Sequence, residues 1–146
     1  MTPTPDVVAI CPFVPAKDFQ KSLRFHTDLG FTANPINDAL AMMDLGPFGF
    51  LLQEYDTKGF AEHFMLSLLV NDLATWWKHI ESLDLNANYG VSAPTAPARQ
   101  HWGLTVTYVV DQNGCGPAQA IQHIEVRLPV AFYFARISLL LALQCH

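Results

Sequence analysis

The chain is short of charge, and above all of positive charge. Lys and Arg number eight among 146 residues, against thirteen Asp and Glu, and charged residues together make up only 14%. A net charge of -5 with so few basic residues argues against a nucleic-acid binder, because phosphate contacts need a basic face. Cysteine is scarce as well. Cys11, Cys115 and Cys145 are an odd set without a C-x-x-C, so neither a disulfide framework nor a zinc knuckle is supported. The expected setting is therefore the reducing cytoplasm. Met1–Pro5 has no basic start and no apolar core, so no signal peptide is read there. There is also no G-x-S-x-G elbow and no Gly-rich phosphate loop, which leaves no nucleophile or nucleotide signature.

What the chain has is apolar residues, at 51%. That balance excludes disorder, and it predicts a partner surface or large cleft in addition to a core. The length suits a single domain, 1–146. Within it one pattern occurs twice: a short apolar strand, an acidic helix start, an amphipathic helix, then more strands. The first copy spans Val7 to Phe31 and the second His63 to Leu85. Such a repeat implies two copies of one supersecondary module, 6–56 and 62–128.

In the first module Val7–Phe13 reads as a strand, with Pro12 and Pro15 marking an edge or a bend. Asp18 is an N-cap, Phe19, Leu23 and Phe25–His26 follow helical spacing, and Gly30 suits a left-handed C-cap. Phe31–Ile36, Leu40–Leu45 and Phe48–Tyr55 read as strands separated by turns at Asn37–Asp38 and Gly46–Pro47. The second module opens with a strand at Phe64–Val70. Asp72 then caps a helix in which Leu73, Trp76, Trp77 and Ile80 stand at i, i+3, i+4 and i+7. A short strand at Ala87–Val91, a loop at Ser92–Gln100, a strand at Trp102–Val110 and a last strand at Ala120–Leu128 complete it. Residues 129–146 form an apolar tail carrying Arg136, too short for a comfortable membrane crossing. A buried element or an oligomer contact is expected there.

The segments P-A-K-D-F-Q-K-S-L-R-F-H-T-D-L-G-F (15–31), L-L-V-N-D-L-A-T-W-W (68–77) and W-G-L-T-V-T-Y-V-V-D-Q-N-G (102–114) resemble the vicinal oxygen chelate superfamily. That superfamily contains glyoxalase I, extradiol dioxygenases and bleomycin resistance proteins, and the chain is most similar to the bleomycin resistance branch. The resemblance implies an α+β protein of two βαβββ-type modules forming a cleft-bearing mixed sheet. It also implies a homodimer, since the family often builds its clefts across subunits.

Catalytic members of the superfamily hold a divalent metal with His, Gln or Glu side chains from four strands. Carried over by position, those places fall near Cys11, Leu52, Met65 and the residues after Gly114, where Cys115, Gly116, Pro117 and Ala118 follow. Leu52 and Met65 cannot ligate a hard metal, so no metal and no other cofactor is expected. A displaced set of Glu54, His63 and Glu125, with His123 nearby, is the alternative, and would support a metal-dependent lyase, isomerase or dioxygenase.

If Leu52 and Met65 face the cleft, a period of two brings Phe50, Glu54, His63 and Ser67 to the same faces, with Cys11 and Phe13 from the first strand. Trp102, beside His101 and Gly103 at a loop–strand junction, is the strongest single candidate. The candidate ligand-binding set is thus Trp102, Phe50, Glu54, Phe13, Met65 and His63. Phe13, Phe50 and Met65 fit a core equally well. Aromatic walls with an acid suit a planar or cationic small molecule, as in antibiotic sequestration. An interaction protein using its apolar tail is the third reading.

Overall fold

The computed structural model describes residues 8–55, 64–111 and 121–126, the last through their backbone. His63, Cys115 and the tail 129–146 lie outside the described residues. The element order is β1 (Phe13–Ala16), α1 (Phe19–Leu29), β2 (Thr32–Asn37), β3 (Leu40–Leu45), β4 (Phe48–Glu54), β5 (Met65–Val70), α2 (Leu73–Ser82), α3 (Leu85–Tyr89), β6 (Ala98–Arg99), β7 (Thr105–Val110) and β8 (Ile121–Val126).

The strands form two four-stranded sheets, ordered β1-β4-β3-β2 and β5-β8-β7-β6. Both have one plan. The opening strand runs parallel to the closing one, β1 to β4 and β5 to β8, and the other neighbours are antiparallel. The doubled pattern of the sequence is thus a doubled topology, and β8 confirms the strand expected near Ala120–Leu128.

Local chemistry explains the helices. Asp18 accepts the Lys21 N–H at 3.0 Å, and Gly30, at φ 114°, closes α1 by donating to the His26 and Thr27 carbonyls. Phe19, Ser22, Phe25, His26 and Leu29 are its buried stripe. Asp72 caps α2 through the Thr75 N–H at 3.0 Å and the Thr75 hydroxyl at 2.6 Å. These bonds to Thr75 hold its carboxyl below the usual carboxylate range. Leu73 and Ile80 are buried, while Trp76 and Trp77 pack half-buried against the core.

Three expectations about boundaries are corrected. The first strand is Phe13–Ala16, not Val7–Phe13, and lies at the sheet edge. An edge tolerates Pro15, which has no N–H to donate. The segment at 87–91 is not a strand but largely the helix α3. Asp84 accepts the Ala87 N–H, Asn86 and Asn88 donate to the Val91 and Leu83 carbonyls, and Leu85 and Tyr89 bury at i and i+4. These side-chain bonds to the backbone outweigh strand pairing. Trp102 lies in a turn ahead of β7, which starts only at Thr105.

One core cluster contains residues of both modules, from Val14 and Phe50 to Tyr89 and Val109. Phe25 of α1 meets Tyr89 of α3 edge-on at 5.2 Å. The Tyr89 hydroxyl donates to the Asp28 carboxylate, and His79 Nε2–H donates to the Asp28 carbonyl at 2.8 Å. Partial burial and the bond to Asp28 push the Tyr89 phenol up to about 12. No helix of the described residues is long and apolar enough to cross a membrane.

Candidate functional site

Each sheet has one face packed on the helices and core and one face turned away from them. Register assigns the residues, since partners directly opposite share a face. In the first sheet Val14 pairs with Leu52, Leu52 with Ala41, and Phe50 with Met43, and all of these are buried in the core. The opposite face is a row of Phe13, Leu51, Met42 and Asn34, flanked by Gln53 and Leu40 on one side and Gly49 and Asp44 on the other. In the second sheet Leu66, Leu68 and Val70 turn to the core, whereas Met65, Ser67 and Leu69 stand on the open face. Their partners across β8 are Ile121, His123 and Glu125, followed on β7 by Val110, Tyr108 and Val106.

These registers divide the expected ligand residues. Phe13, 52% exposed, and Met65, 56% exposed, are on open faces. Phe50 is only 2% exposed and is core: its ring meets His26 at 5.0 Å and Phe31 at 5.2 Å. Leu52 is likewise core, so the expectation that Leu52 and Phe50 look into the cleft is corrected, and Leu51 occupies the open-face position. Glu54 has the parity of Leu52 but emerges exposed at the end of β4, beside Ala16. Trp102 is half-buried in its turn, edge-on to His101 at 4.6 Å. Within the second sheet it precedes the near end of β7, while Met65 registers through Ile121 with Val110 at the far end. Trp102 and Met65 are therefore at diagonal corners and do not share a patch.

Sequence reasoning missed Leu51, Met42, Asp44 and Asn34. Asp44 carries the charge of this face: its Oδ2 accepts the Asn34 amide N–H at 2.7 Å. Gly49 lies directly opposite Asp44. A Cβ on Gly49 would meet Asp44 Oδ1 at 2.6 Å and the Met43 carbonyl at 2.9 Å, so the carboxylate rests where a side chain would otherwise be. Asp44, two residues from Met42 at the end of the apolar run L-A-M-M-D-L, was the available signal.

Behind the sheets, His26 is buried with its Nδ1–H donated to the Ser22 carbonyl at 2.9 Å. Asp111 Oδ2, also buried, lies 3.9 Å from Nε2. Burial pushes His26 down to about 4, so the ring is neutral at pH 7 and belongs to the packing of α1 against the end of β7. A shallow groove of ≈ 400 Å³ also lies on the helix side, lined by Leu29, Gly30, Leu45, Thr75, Trp76 and His79.

For metal binding, the open-face positions of β1, β4 and β5 offer Phe13, Leu51, Gln53, Met65 and Ser67. Among the described residues no three His, Cys, Asp or Glu side chains cluster as metal ligands. Of the displaced set, Glu54 falls on the core-side parity, Glu125 registers with Leu69, and His63 lies outside the described residues.

No protein-family model matches the chain, and no curated protein matches it. Solved structures do. A bleomycin-binding protein complexed with bleomycin is 21% identical, with a TM-score of 0.69 over 82% of this chain and 98% of that one. The bleomycin resistance determinant encoded on the transposon Tn5 gives 21% identity and 0.69 over 83% and 98%. Lactoylglutathione lyase from Agrobacterium tumefaciens gives 16% identity and 0.59 over 84% and 95%. These are likenesses of fold, shared by a binder and an enzyme.

Proposed function

We propose that this chain, with its glyoxalase/bleomycin resistance/dioxygenase fold, binds a small aromatic or cationic molecule without a metal, as in antibiotic sequestration. One observation carries the reading. The open faces of β1, β4 and β5 present Phe13, Leu51, Gln53, Met65 and Ser67, a set with no His, Asp or Glu to hold a hard cation. Phe13 and Leu51, directly opposite each other, offer an apolar surface of the kind that stacks on a flat organic ligand. The fold shared with a protein complexed with bleomycin adds support.

In this reading Phe13 and Met65 contact the ligand, with Leu51 and Met42 beside Phe13. Trp102, Glu54 and His63 serve at the margins, and Phe50 supports the sheet from behind. Two copies of the chain assemble so that their open faces complete the cleft. Exposed apolar side chains on strand faces, including Leu69, are consistent with such an assembly. The chain is not read as an enzyme.

Isothermal titration against bleomycin and a panel of other cationic and aromatic compounds tests this. Saturable binding with loss on Leu51→Lys is the expected outcome, and absence of binding to every compound would overturn it. Metal analysis of the purified protein tests the enzymatic alternative that the lactoylglutathione lyase fold keeps open. Stoichiometric Ni, Zn, Fe or Mn would reverse the conclusion in favour of a site built from Glu54, His63 and Glu125.

A further inference from the structure

We infer that Asp44 Oδ1 receives the positive group of the ligand and selects a compact ammonium over a planar guanidinium. The inference deepens the binding reading above and rests on it. Asp44 is half-buried on the open face of the first sheet, and Asn34 occupies one of its two oxygens through a 2.7 Å hydrogen bond. The other oxygen lies over Gly49, in space that any larger residue would fill. Among the described residues no salt bridge reaches Asp44 and no hydrogen bond is donated to Oδ1.

A carboxylate with both oxygens available pairs two-pronged with a guanidinium. Each carboxylate oxygen has two lone pairs, so Asn34 competes with a fork for Oδ2, whereas a point-like ammonium needs Oδ1 alone. The charge around it agrees. Of all the strand residues described, the charged ones are Asp44, Glu54, Arg99 and Glu125. Arg99 pairs with Thr105, on the core-side parity of β7. Hence no described strand position of either open face carries Lys or Arg.

The floor beside Asp44 sets the rest of the ligand. Met42 is next along the same face of β3, and Leu51 and Phe13 continue across the sheet. Same-face neighbours along a strand stand about 7 Å apart. A flat apolar ring over Met42 and Leu51, joined by a short spacer to an ammonium, matches that separation.

The test uses three probes on the full chain: 2-phenylethylammonium, 2-phenylethylguanidinium and the neutral 2-phenylethanol, titrated by calorimetry. The ammonium should bind about tenfold more tightly than the alcohol, with the guanidinium weaker than the ammonium. Asp44→Asn should abolish the advantage of the ammonium over the alcohol. Asn34→Ala frees Oδ2 and should bring the guanidinium level with or above the ammonium, a reversal that a merely destabilised fold would not produce. Equal binding of alcohol and ammonium, or unchanged ammonium binding by Asp44→Asn, overturns the inference while leaving the binding reading intact. Failure of all three probes together with the wider panel overturns both.

Discussion

Acid should loosen this protein through one buried ring. His26 is 1% exposed on α1, with Nδ1–H on the Ser22 carbonyl and Phe25, Phe31 and Phe50 around it. Its pKa falls from 6.5 to about 4, first because burial penalises the imidazolium, with the Ser22 bond opposing. Asp111 Oδ2, at 3.9 Å, is beyond hydrogen-bond distance. The sign follows from linkage. The folded value is depressed, so the unfolded chain binds the proton first, and stability is lost as pH falls from 6.5 towards 4. The loss is about 2 kcal/mol at pH 5 and about 3 kcal/mol below pH 4, a large share of the roughly 5–15 kcal/mol that holds a typical domain. Urea unfolding between pH 7.5 and 4 measures it. In His26→Phe the ring is kept and the Ser22 carbonyl remains in the helix ladder, so most of the slope in that window should vanish. Asp72 does not confuse the reading. Its depressed pKa lies below 3.8, so its contribution is lost only in more acidic solution. An undiminished slope in His26→Phe would refute the reasoning.

Further outcomes are expected from the two sheet faces and the helix contacts. Leu52→Ala should cost about 2–5 kcal/mol in chemical denaturation, as for a fully buried leucine. Leu51→Ala, one residue away, should cost about 1 kcal/mol or less while weakening ligand binding in titration. Gly49→Ala should destabilise by about 1–3 kcal/mol, because its Cβ would press on the Met43 carbonyl at 2.9 Å as well as on Asp44. The denaturation midpoint of a double variant with Asp44→Ala should recover only partly. Tyr89→Phe removes the hydroxyl donated to Asp28 between α3 and α1. It should lower stability by about 1.5–3 kcal/mol, as for a bond to a charged group, and abolish any spectroscopic phenol titration near 12.

Much of the architecture was legible because its signals are local. Asp18, Gly30 and Asp72 mark helix ends by their own side-chain and backbone chemistry, and each acts as read. The hairpins of β2, β3 and β4 follow from alternation and turns, and the repeat announces its own duplication. The misread segment at 87–91 shows the limit. Its residues alternate as a strand would, and only the capping bonds of Asp84 and Asn88 reveal a helix.

The site was half legible. Of the candidate ligand residues Phe13 and Met65 stand exposed on strand faces, but F-G-F-L-L-Q-E is apolar at both parities, so periodicity could not say whether Phe50 or Leu51 looks outward. A slip of one residue exchanges the two faces of a strand completely. Asp44 was hidden for a related reason: its importance depends on Asn34 from β2 and on the missing side chain of Gly49 from β4. By itself the sequence determined the doubled module and its helix ends, which are properties of neighbours along the chain. Tertiary structure alone decided which face of each strand is open and which acid stands on it, because cross-strand register and helix packing set those, and neither is written in local spacing.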